Sequence, residues 1–344
     1  MELNVKRTVL RTVAPVILLL STFLLAQSFP QDKLPSYVTR LIDYGQRAEW
    51  SLDGKKIMFL TRAGGDAMEI DIQTKQISPV TLHYERPKDW GYYRALYLSN
   101  GDYLLTGGPS RHEAYLQIMD RHRTKPPKVF KDVIVGEGPA VSRKKLTIAF
   151  TGPKQQQIWL ADIVYRHGEP FLARGRLLID NHKVVVDGIK YEGMIEPQNF
   201  RPPDDKELIW TQYGTTESGI FTAEVMGYDL ETGEIINYSK APNQYDEAEG
   251  IFPDGESTLV ECDHHHPKGN AFIDLYRLKL DGTGQDYRRL TFFSDVPGFR
   301  ASNPVVSDDG RYIAFQESAA DSPPGTGSGI YLFDLVKAGL EKAQ

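Results

Sequence analysis

The sequence predicts an all-β protein, a six-bladed β-propeller closed by an N-terminal strand that joins the last blade. Three observations predict it. A unit made of an apolar residue, a short polar turn and a β-rich run recurs six times, most copies are followed by two further short β-rich runs, and no convincing amphipathic helix interrupts them. A period of this kind is the mark of radially repeated sheets.

The clearest copies of the unit are Trp50-Ser51-Leu52-Asp53-Gly54 before Lys56–Leu60, Ile251-Phe252-Pro253-Asp254-Gly255 before Thr258–Val260, and Val306-Ser307-Asp308-Asp309-Gly310 before Tyr312–Phe315. Asp-Gly readily adopts the positive φ of a tight hairpin, so each copy is read as two antiparallel strands. Weaker copies start at Leu98, Val141 and Pro202; the first carries Asn100-Gly101 and the other two lack such a pair. Third strands are expected at Ala67–Ile72, Ala114–Met119, Gln157–Val164, Ala223–Leu230, Phe272–Leu280 and Gly329–Leu335. Fourth, more polar strands are expected at Gln76–Val80, Lys128–Phe130, Gly175–Ile179, Glu234–Tyr238 and Tyr287–Thr291. The sixth unit lacks a fourth strand, and Tyr37–Ile42, similar to Tyr287–Thr291, is expected to supply it. Closure of this kind removes an exposed sheet edge. A ring of seven blades is the alternative, with the extra one between Lys144 and Asp205.

Composition bounds the function. Forty Lys and Arg against 46 Asp and Glu leave a net charge of −6, which excludes the basic footprint of a nucleic-acid binder. The single cysteine, Cys262, excludes an internal disulfide framework and is read as a core residue. Residues 1–28 read as a secretory signal peptide: Lys6, Arg7 and Arg11 precede an apolar run from Val13 to Ala26, and Ala26-Gln27-Ser28 suits cleavage. Residues 29–335 form the propeller domain, residues 336–344 a frayed or helical tail, and the mature chain is expected to be periplasmic or secreted with no transmembrane segment.

The repeats at Trp50–Phe59, Phe252–Val260 and Val306–Phe315, with Arg289-Leu290-Thr291 leading into a blade, resemble the WD40-like propeller repeats of the TolB-type periplasmic family. The resemblance spans the mature chain and implies a propeller of the cell envelope. It departs from the pattern at Ser142-Arg143-Lys144 and at Pro202-Pro203-Asp204-Asp205.

Loops on a rigid scaffold are where binding residues concentrate. Tyr44, Tyr92 and Tyr245 each stand six residues before the apolar anchor of a unit, beside Arg47, Arg94, Glu249 and Arg300. These seven residues are expected to rim the channel mouth and to hold a peptide, a cell-envelope protein or a glycan. Asp263-His264-His265-His266 follows a strand directly, so His264 and His266 are the expected ligands of a divalent metal, the one cofactor the sequence offers, with help from Glu249, Asp246 or His83. Some propellers with similar repeats are oligogalacturonate lyases, and that resemblance implies metal-assisted carbohydrate lysis, or hydrolysis, as the alternative to a non-enzymatic scaffold. Serine-nucleophile, zinc-protease and phosphate-loop signatures fail on their flanking residues.

Overall fold

The computed structural model describes residues 29–342 apart from 136, 137, 187 and 324; the expected signal peptide, residues 1–28, lies outside the described residues. Six four-stranded antiparallel sheets form the blades, five of them running outward in chain order from an innermost strand and the sixth taking its outer strand from the N-terminus. The innermost strands are Gln46–Trp50, Gly91–Tyr97, Ala140–Val141, Ile195–Phe200, Asp246–Ile251 and Phe299–Val306, opening blades 1 to 6. Val38–Ile42 forms the outer strand of blade 6, with Val38 opposite Phe333, Thr39 opposite Leu332 and Arg40 opposite Tyr331. The ring therefore has six blades and closes through its N-terminal strand, as the repeats predict.

The Ser-x-Asp-Gly turns follow local chemistry. Ser51 Oγ donates to Asp53 Oδ1 at 2.7 Å and accepts from Lys56 N at 2.9 Å, and Gly54 takes a φ of +66°. The same turn recurs at Ser307, Asp309 and Gly310. Where Asp-Gly is missing, Ser142 Oγ takes over by accepting from Lys144 N and Lys145 N at 3.1 and 2.7 Å. Its hydroxyl also donates to Asp205 Oδ2 at 2.5 Å, joining the two irregular turns.

Between Lys144 and Asp205 there is no seventh blade. The third and fourth strands of blade 3 lengthen to Gln157–Arg166 and Glu169–Asp180, and the spare chain makes a small hairpin, Val185–Val186 with Ile189–Lys190. The strand expected at Gly175–Ile179 is thus only the inner part of a 12-residue strand.

Each seam between neighbouring blades holds its own apolar cluster. Trp50, Phe59 and Ile70 meet Ala314 and Ile330 where blade 1 joins blade 6, and Trp210 and Met226 pack with Ile158 and Ile179 between blades 4 and 3. Trp50 Nε1 donates to Val305 O at 3.1 Å across the closing seam. The tail is neither frayed nor helical through residue 341: Ala338 and Leu340 pack on the core of blades 5 and 6, and Glu341 pairs with Arg277 at 2.7 Å. Among the described residues, no helix is long and apolar enough to cross a membrane.

Candidate functional site

Strand polarity puts two sets of connections on one face, here called the upper: those from a fourth strand to the next blade, and those from a second to a third strand. The channel beneath them has an upper cavity of about 170 Å³ and a lower one of about 310 Å³, and Arg47, Arg94 and Glu249 line both.

The innermost strands would hide every second side chain if they alternated regularly. They do not. Register slips between Gln46 and Glu49, Tyr92 and Arg94, Pro197 and Asn199, Ala248 and Ile251, and Ser302 and Val305. Arg47 and Asn303, inside two of these bulges, have φ of +56° and +46°. Bulges re-aim side chains, and these aim Arg47, Glu249 and Asn303 at the channel. Glycine makes room for the cations: a Cβ at Gly325 would stand 2.0 Å from Arg47 Nη2, and one at Gly138 would stand 2.7 Å from Arg94 Nε.

The upper cavity sets Arg47, Arg94, Arg111 and Arg300 against Glu196, Glu247, Glu249 and Glu261. Arg94 Nη2 lies 3.8 Å from both Glu196 and Glu249. Arg300 straps two mouth loops, donating to Asn270 O at 2.5 Å and Ser322 O at 2.8 Å. Asn303 donates from Nδ2 to Glu249 and from its backbone to Glu261, at 2.8 and 2.6 Å. One wall is aromatic: Tyr213 stacks on Phe221 with centroids 5.4 Å apart, and Phe221 leans on Tyr245. Both tyrosine hydroxyls donate to Glu247. Burial and the neighbouring glutamates push both phenols well above their ordinary value, so they stay neutral donors. Among the described residues lining this cavity, the one serine, Ser302, shares its hydroxyl with Ser318 at 2.8 Å.

Burial also raises two channel carboxyls. Glu249 stands well above the ordinary carboxyl range, and Glu261 is pushed up to about 8 by burial and the Glu247 charge. A carboxyl whose folded pKa exceeds its unfolded 4.5 binds more protons folded than unfolded in between, so its contribution to stability falls as pH rises from about 4.5 to about 8. Glu261→Gln removes this loss while Oε1 still accepts from Asn303. Thermal melts should show the variant gaining roughly 3–6 °C over the parent at pH 8.5 and little at pH 4.5. Equal melting temperatures at both values would refute a protonated Glu261.

The structure brings Arg47, Arg94, Glu249, Arg300 and Tyr245 together at the channel, with Tyr245 only 2% exposed. It does not bring Tyr92 there. Tyr92 is 3% exposed in the seam of blades 1 and 2, hydrogen-bonded to Tyr84 and covered by Arg86 at 5.3 Å. Tyr44 sits on the upper rim, edge-on to Phe59 at 5.7 Å, outside both cavities. The two expected metal ligands part company, because successive residues of a bent loop point apart. His264 turns inward, its Nε2 3.0 Å from Asp246 Oδ2, whereas His266 is exposed against Phe272. Neither lines the channel. Sequence reading missed Tyr213, Phe221, Glu261 and Asn303 as site residues, since they lie on second strands, at the start of a third strand and in a bulge that spacing from the turn does not reveal.

No known family and no curated protein matches the chain. Solved structures do. A manganese complex of an oligogalacturonate lyase is 15% identical over 86% of this chain and 79% of that one, with a TM-score of 0.47. A TolB-type protein of Agrobacterium tumefaciens is 12% identical over 81% and 72%, with a TM-score of 0.36. A chain of a nidogen/laminin complex is 12% identical over 76% and 85%, with a TM-score of 0.51. Likeness at such identities is one of fold, and it places the chain among the β-propellers.

Proposed function

We propose that the protein is a non-enzymatic binding propeller of the periplasm or cell exterior, which holds a segment of an envelope protein on its upper face. One observation carries the reading. Of the eleven large apolar side chains exposed among the described residues, six, Tyr44, Leu82, Ile134, Val185, Ile189 and Phe292, stand on or beside the connections from a fourth strand to the next blade. Leu82 and Val185 are 58 and 59% exposed. Single exposed apolar groups need no explanation, but six gathered on one face around a charged mouth, including the four most exposed, mark a protein-binding surface. The arginines and glutamates beneath suit the backbone and charged side chains of an inserted peptide. Stacking of a glycan loses support, because Tyr92 and Tyr245 are buried. The lyase alternative loses its paired ligands His264 and His266. The signal-like residues 1–28 support the proposed location.

Photo-crosslinking in cells tests the reading. A crosslinking residue at position 82, 189 or 292 should give a discrete adduct, and one at 54 or 309 on the opposite face should not. The triple variant Leu82→Glu, Ile189→Glu, Phe292→Glu should lower affinity for the captured partner at least roughly tenfold, with melting within a few degrees of the parent. Adducts confined to positions 54 and 309 would overturn the assignment of the face.

A further inference from the structure

We propose that Asp246, Cys262 and His264 form a binding site for one zinc ion, buried in blade 5 near its seam with blade 4 and separate from the channel mouth. Asp246 and Cys262 are directly opposed partners on the first and second strands of the blade, so their side chains are neighbours. His264 follows two residues later. Its backbone nitrogen lies 3.5 Å from Cys262 Sγ, and its ring returns to place Nε2 3.0 Å from Asp246 Oδ2. The three donor atoms lie within 4.8 Å of one another. A tetrahedral zinc ion, with bonds of about 2.3 Å to sulfur and about 2.0 Å to nitrogen or oxygen, needs its donors roughly 3.3–3.6 Å apart. Small side-chain rotations reach that.

An independent sign of a missing cation is the state of Asp246. The side chain is fully buried, yet Oδ1 has no partner of hydrogen-bond geometry, and the thiol on the opposed strand is a weak donor. A plain His264–Asp246 hydrogen bond satisfies only the other oxygen. The surroundings suit a metal: Tyr287 donates to Asp246 Oδ2 at 3.0 Å and its ring lies against His264 at 4.3 Å, fixing both ligands from outside. Imidazole, thiolate and carboxylate together favour zinc over the hard ions magnesium and calcium. The His264 side chain is 21% exposed, which gives an entry route and leaves a fourth position for water. Zinc binds the thiolate, so binding displaces the Cys262 proton to solvent. The triad of Glu247, Glu249 and Glu261 in the channel is the rival cation site, but Arg47, Arg94 and Arg300 stand around it.

The test uses the full untagged chain stripped with a chelator and titrated with cobalt(II), then zinc. One equivalent of cobalt should produce a thiolate-to-metal charge-transfer band in the near ultraviolet, and zinc should bleach it. Cys262→Ser should abolish the band, His264→Ala should weaken cobalt binding at least tenfold, and His266→Ala should change neither. Free zinc at one hundred times its dissociation constant should raise the parent's melting temperature by about 5 °C. Should Cys262→Ser fail to fold, the His264→Ala variant and the parent's own band still decide. The proposal is overturned if the parent gives no band, or if binding survives Cys262→Ser and His264→Ala but is lost in Glu249→Gln, which would put the ion in the channel.

Discussion

Deleting residues 29–42 should convert the protein from a species with one cooperative unfolding transition into an aggregating one with none, as read by light scattering and calorimetry. The segment is the outer strand of blade 6, and its loss bares the full edge of Ile330–Asp334. It also removes Val38 from the cluster of Phe252, Phe293, Phe315 and Phe333, and Ile42 from the cluster around Trp50. Each buried aliphatic side chain is worth about 1.5–3 kcal/mol, and Arg40 additionally covers the Tyr331 ring at 5.9 Å. Asp334 N loses its acceptor, Tyr37 O, at 2.8 Å. Together these losses approach the whole stability of a domain, about 5–15 kcal/mol. A truncated chain that scatters no more light than the parent and melts within about 5 °C of it would show that the ring does not depend on this closure.

Asp274→Ala should be the most damaging single substitution outside the apolar seams, costing about 3–5 kcal/mol in urea unfolding and roughly 6–12 °C in melting temperature. Asp274 is fully buried at the start of the third strand of blade 5. Its Oδ1 accepts from Thr291 Oγ1 at 2.7 Å and Phe293 N at 2.8 Å. Its Oδ2 accepts from Arg289 Nη2 at 2.8 Å, Ser294 N at 3.2 Å and Ser294 Oγ at 2.5 Å. One carboxylate therefore organises the connection from blade 5 to blade 6, and its removal strands buried donors. Asp274→Asn should rescue little, because an amide NH₂ would face donors on one side or the other. A cost below about 1 kcal/mol for the alanine variant would refute this role.

Much of the fold was legible because turn chemistry is local. Ser51, Asp53 and Gly54 bond within their own turn, so the same letters at 307–310 announce the same hairpin. The closing strand was legible for a related reason: a blade short of one strand requires a partner, and Tyr37–Ile42 is shaped as its neighbours are. The long hairpin of blade 3 and the docking of Leu340 were not legible. Neither follows from a repeat, and each is settled by which surface lies nearby.

The site divides the same way. Arg47, Arg94, Glu249 and Arg300 could be placed near the channel from their distance to a turn, whereas Tyr92 at the same spacing as Tyr245 went into a seam. By itself, then, the sequence determined six radial sheets, their closure and the face that carries the loops, because those rest on period-2 alternation and on turns a few residues long. Only the tertiary structure decided which side chains enter the channel and which histidine meets Asp246. Bulges in five of the six inner strands break the alternation, and contacts across the ring, which no local spacing encodes, select the side each chain takes.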